Sequence, residues 1–127
     1  MGARRVVRDV SFAGGSALLL WSSYIHFHLW DAEGYRHIPT IGDLFLLQVI
    51  AGVLVAIAAV VVRRRWAGLL GAGFALSTLI GFLISVDVGL FGFKDSSSAP
   101  FAHEAFGVEV GAIVLFVLAV WSCASTS

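Results

Sequence analysis

The chain has 127 residues, of which 59% belong to the apolar set and 13% are charged, with a formal net charge of zero. That balance excludes a small soluble domain, in which a large share of side chains must face water. It also excludes a general nucleic-acid binder, which needs surplus Lys and Arg to displace counterions from phosphates.

Residues 1–127 therefore read as one integral membrane domain of the all-α class, a bundle of four transmembrane helices whose first partner is the lipid bilayer. Arg4, Arg5 and Arg8 precede an apolar run from Val10 to Leu29. The run continues through aromatic residues without a small-x-small cleavage site, so an uncleaved first helix fits better than a signal peptide. Val6 stands where a myristoylation signal would place Ser or Thr. Three more apolar stretches follow, Leu44 to Val62, Trp66 to Val86 and Phe101 to Trp121. Each is near the roughly 20 residues needed to cross about 30 Å of hydrocarbon. Stretches of this length without period-2 alternation are helices, because lipid offers the backbone no hydrogen-bond partner.

Basic residues give the orientation. Arg4, Arg5, Arg8 and the run Arg63, Arg64, Arg65 lie on one side, against Arg36 and Lys94 on the other. The excess predicts a multi-pass protein of the cell membrane with both termini and the Arg63 to Arg65 turn in the cytoplasm, and with loops Trp30 to Asp43 and Asp87 to Pro100 outside. The two outer loops share a pattern, Gly34-Tyr35-Arg36 before Pro39 and Gly92-Phe93-Lys94 before Pro100. Each proline is expected to open the next helix, where its missing N–H costs nothing. Aligning the prolines pairs Asp43 with Glu104, Phe45 with Phe106 and Gln48 with Glu109. The halves are then either hairpins related by a pseudo-twofold axis along the membrane normal or alike by chance.

Small residues at steps of three or four mark close helix contacts. Gly52, Ala56 and Ala59 form one such stripe, Gly71, Ala75, Thr78, Gly81, Ser85 and Gly89 a second, and the fourth helix carries Gly107 with Gly111 and Ala105, Ala112 and Ala119. The same spacing serves packing within one chain, a homodimer or another membrane subunit.

Titratable residues gather toward the outer ends of the helices, so a site, if present, opens outward. Glu109 lies about 13 Å along the fourth helix from Pro100. A carboxyl at that depth faces the bundle interior or a wet cavity. It is the centre of an expected polar pocket with Gln48, at matching depth in the second helix and a candidate partner, and Asp87. His26 and His28 invite a metal or haem reading, but two residues apart on a helix they diverge by about 200°. His26 shares a face with Ser22 and Trp30, His28 one with Trp21 and Tyr24. Each ring is otherwise an interfacial side chain with a wet tip. His103 and Glu104 start the fourth helix without the second histidine of a zinc HExxH motif, and Glu104, like Asp43, also suits a helix N-terminus electrostatically. A transition metal held by His26, His28, His103 and Glu104 is one composite reading. No cofactor is specified. The lone Cys123 excludes an intrachain disulfide. Trp21, Trp30, Tyr24, Tyr35, Phe91 and Phe93 form an outer aromatic belt, with Trp66 and Trp121 at the inner one.

The stretch His28-Leu29-Trp30 through Gly34-Tyr35-Arg36-His37-Ile38-Pro39-Thr40-Ile41-Gly42 with Leu44-Phe45-Leu46-Leu47, and Phe91-Gly92-Phe93-Lys94 with Ala99-Pro100-Phe101, resembles small four-helix membrane proteins of actinobacteria that carry no assigned activity. In helix count and length the chain is similar to the DoxX-like superfamily, some members of which accompany redox enzymes or quinone chemistry. Three functions remain in view. The leading one is a non-enzymatic accessory subunit or binding protein with an outward-facing polar pocket; the others are a redox or metal-dependent enzyme component and a small proton-coupled transporter.

Overall fold

The structure is a computed structural model, and it describes residues 2–87 and 102–123. Among these, four α-helices run in chain order: α1 Gly2–Asp31, α2 Ile41–Val62, α3 Arg65–Asp87 and α4 Ala102–Ser122, with a single 3₁₀ turn at Tyr35–His37. The class is all-α, as the composition predicts.

Two helix starts differ from the expected ones by more than one residue. α1 begins at Gly2 rather than Val10, because Arg4, Arg5, Arg8 and Asp9 tolerate helix and no breaker separates them from the apolar run. α2 begins at Ile41 rather than Leu44. Pro39 does not open α2 but lies two residues before it. Thr40 takes the cap position with φ of 67°, and the Ile41 amide reaches back to the Pro39 carbonyl at 2.7 Å. The turn before it is tight as well. Gly34 supplies a left-handed φ of 81°, and the Arg36 backbone lies where a Cβ on Gly42 would stand. Pro100 falls outside the described residues, as do Gly89, Phe91, Gly92, Phe93 and Lys94.

α2, α3 over Arg65–Ile84 and α4 over His103–Ser122 are each long and apolar enough to cross a membrane. α1 is not among them, a departure from the expected four spans. The physical reason lies in its composition: Ser11, Ser16, Ser22 and Ser23 interrupt the apolar run, and all four are buried. Its outward side chains are large, Leu20, Trp21, Tyr24 and Phe27.

The helices form a ring in which α1 packs broadly against α2 and α4, and α3 against α4. The α2–α3 seam is thinner, α1 and α3 touch across the centre, and among the described residues α2 and α4 do not pack on each other. A strict twofold would make the α1–α4 and α2–α3 seams alike, so the two hairpins are not equivalent in packing. The core is small-residue packing around one ring. Phe116 is fully buried, edge-on to Phe12 at 6.5 Å between centroids. A Cβ on Gly15 would come within 2.9 Å of the Phe116 ring and one on Gly71 within 2.8 Å, so α1 and α3 close on it from two sides. Gly52, Ala56, Ala59, Ala75, Ala112 and Ala119 are buried, as their spacing predicts. The Gly107–Gly111 pair divides: Gly111 abuts Leu18 of α1, whereas Gly107 meets nothing within 4 Å.

One end of the ring is basic. Asp9 of α1 pairs with Arg8 at 3.1 Å and with Arg63 of the α2–α3 turn at 3.2 Å. Arg4 donates to the Trp121 carbonyl at 2.9 Å and lies over the Trp121 ring, satisfying an end of α4 whose last carbonyls have no helical partner. The Cys123 thiol contacts the Arg63 carbonyl. Its pKa is pushed up by burial, against the pull of Arg8, Arg65 and Arg4. The start of α1, the α2–α3 turn and the end of α4 therefore lie together, as an up-and-down order of four helices requires.

Candidate functional site

Glu109 sits on the face of α4 that also buries Ala112, Phe116 and Ala119, positions separated by three and four residues. Its side chain is 1% exposed. The Ser22 hydroxyl of α1 donates to Oε2 at 3.0 Å. Among the described residues the other oxygen, Oε1, has no hydrogen-bond partner.

Ser22 links this carboxyl to a histidine one turn further along α1. His26 Nδ1 lies 2.8 Å from the Ser22 carbonyl and 3.4 Å from the Ser22 hydroxyl. A carbonyl only accepts, so Nδ1 carries the proton and Nε2 is the ring's free acceptor. The spacing has a simple origin. Residues four apart share a helix face, so Ser22 and His26 stack along α1. The His26 ring packs on Phe45 at 5.0 Å, and Phe45 packs on Tyr35 at 5.0 Å. A continuous path thus runs from the buried acid through Ser22 and His26 to the aromatic contacts of the Tyr35–His37 turn.

The other candidates go elsewhere. Gln48 does not meet Glu109; it donates to the Thr78 hydroxyl of α3 at 2.8 Å, and among the described residues α2 packs on α1 and α3 and not on α4. The aligned pairs also separate, since Phe45 is half-buried and Phe106 exposed. His28 lies 3.7 Å from Glu33 and beside Tyr24, on a different face from His26. His103 and Glu104 are exposed on the first turn of α4. The side chain of Asp87 lies outside the described residues. Among the described residues no three His, Cys, Asp or Glu side chains form a group able to hold a metal ion, so the composite of His26, His28, His103 and Glu104 is not assembled there. His26 has one feature of a ligand imidazole, an Nδ1–H fixed by a carbonyl.

Sequence reasoning placed Ser22 on the His26 face but not against Glu109. The available signal was the i, i+4 spacing of the two α1 residues; what joins them to α4 is tertiary. Comparison with known proteins adds no assignment: no family model, curated protein or solved structure matches the chain.

Proposed function

We propose that this is a small multi-pass membrane protein, non-enzymatic, serving as a binding protein or accessory subunit through a site centred on Glu109. In this reading all four helices span the bilayer, α1 included. Its serines are buried against its neighbours and its exposed side chains from Val10 to Leu29 are apolar or aromatic, the distribution a helix needs when protein rather than lipid covers its polar groups. The arginine end, with exposed Trp66 and Trp121 beside it, faces the cytoplasm, and the site opens to the outside. The observation that carries the reading is the Glu109 carboxyl, enclosed in the bundle with one oxygen bonded to Ser22 and the other left over. Buried polar atoms without partners are rare in native structures and call for an explanation; the Ser16 and Ser23 hydroxyls share this state, but Glu109 is the one that can carry charge.

Orientation is tested by cysteine labelling. In a Cys123→Ser background, a membrane-impermeant maleimide added to intact cells is expected to label Glu33→Cys and not Arg64→Cys; the reverse pattern overturns the assignment. Function is tested by purification from native membranes in mild detergent. A stoichiometric complex is expected, which Glu109→Gln dissociates without lowering the melting temperature of the isolated chain. Recovery of a lone species that turns over a substrate would sink the reading.

A further inference from the structure

We propose that the ligand of the Glu109 site is a proton, exchanged with the outer face through His26 and Ser22. The inference rests on the reading of a membrane-spanning bundle with an outward site, and names what that site holds.

The enclosure of Glu109 limits what can neutralise it. A carboxylate in a low-dielectric interior needs a cation, a metal or a proton. Each element packed against α4 can be searched for the first two. α1 brings Ser22 and His26 to the carboxyl, while His28, further out, lies by Glu33. α3 has no titratable residue between Arg65 and Asp87, and its two described hydroxyls are engaged: Ser77 donates to the Gly73 carbonyl and Thr78 to the Phe74 carbonyl. Among the described residues α2 does not pack against α4. On α4 itself, His103 and Glu104 are exposed on the first turn, more than a full turn away. Among the described residues, then, no Lys or Arg pairs with Glu109 and no metal group forms around it.

The hydrogen bonds provide a route as well as a resting place. His26 is half-buried, and in the proposed route a proton from outside water bonds to its Nε2. The Nδ1–H proton passes to the Ser22 oxygen as the Ser22 O–H proton passes to Glu109 Oε2. Glu109 becomes neutral, Ser22 is again a hydroxyl, and His26 is again neutral with its proton on the other nitrogen. Return of the proton reverses each step. The Nδ1 to hydroxyl separation of 3.4 Å is long for transfer, and Nδ1 rests on the Ser22 carbonyl at 2.8 Å. A small rotation of the imidazole from the carbonyl toward the hydroxyl completes the chain, so His26 acts as a gate whose closed position is the one observed. Glu109 Oε1 remains available to a water or to a second group on release.

The test is infrared spectroscopy of the protein in lipid vesicles. The parent is expected to show the carbonyl band of a protonated carboxyl, and Glu109→Gln to lack it. On transfer to D₂O that band shifts as the proton exchanges. His26→Phe, which keeps a ring against Phe45, is expected to slow the shift about a hundredfold, the low end of what a positioned acid–base group contributes. Ser22→Ala is expected to slow it likewise, so that a folding failure in one variant leaves the other to decide. Absence of the band in the parent, or its persistence in Glu109→Gln, overturns the proton site. An unchanged exchange rate in folded His26→Phe or Ser22→Ala overturns the route. Neither outcome alters the cysteine-labelling pattern, which reports separately on the membrane reading.

Discussion

Replacing Phe116 by alanine is expected to cost about 2 kcal/mol of unfolding free energy in bicelles, toward the low end of large-to-small core substitutions. The lower figure follows from the solvent. In a membrane the separated helices already lie in hydrocarbon, so the transfer of Phe116 out of water contributes little, and what remains is lost packing around the cavity. That packing is dense here because Gly15 and Gly71 bring two backbones against the ring. The reciprocal change is informative. Gly71→Ala puts a methyl within 2.8 Å of the ring, and overpacking of this kind is expected to cost about 1–2 kcal/mol. Combined with Phe116→Ala, the added methyl enters the space left behind, so the pair should be less harmful than the sum by about 1 kcal/mol. Strict additivity of the two losses would mean that Gly71 and Phe116 are not in contact.

The packing residues were visible in the sequence because a small residue every three or four positions has a direct meaning on a helix. Ala56, Ala59, Ala75, Ala112 and Ala119 are all buried as that rule requires. The rule does not say which neighbour each stripe meets. Gly107 and Gly111 carry the same motif, yet only Gly111 has a partner, since α1 crosses there and nothing described lies over Gly107. The start of α1 was missed for a different reason. The charged residues mark the expected edge of a span, whereas helix continues wherever propensity allows, as it does from Asp9 back to Gly2.

The site was half legible. Depth alone drew attention to Glu109, and its burial agrees. Its partner was not legible, because the likeness of the two outer loops pointed to Gln48, whereas the ring order of the helices puts α1, not α2, against α4. The histidines show the same limit. Periodicity separated His26 from His28, but only the fold ties one to Ser22 and brings the other near Glu33.

A double-mutant cycle on Ser22 and Glu109 would measure the contact on which the site depends. Ser22→Ala removes the Ser22 donor to Oε2 and, among the described residues, leaves a carboxyl with both oxygens unpartnered. The expected loss is about 2 kcal/mol, the penalty of an unsatisfied buried polar group rather than the net worth of one hydrogen bond. Glu109→Leu should behave otherwise. It removes the polar group that needs satisfying, and the Ser22 hydroxyl can turn back onto the carbonyl four residues earlier, as Ser77, Thr78 and Ser122 do in this structure. Its stability should fall within about 1 kcal/mol of the parent. In that background Ser22→Ala deletes only a local back-bond and should cost a few tenths of a kcal/mol, giving a coupling of about 1.5 kcal/mol. The asymmetry carries the argument, because a site kept for function is one that a leucine could replace at little structural cost. Equal losses for Ser22→Ala with and without Glu109, read from unfolding in the same bicelles, would show that the two side chains do not interact.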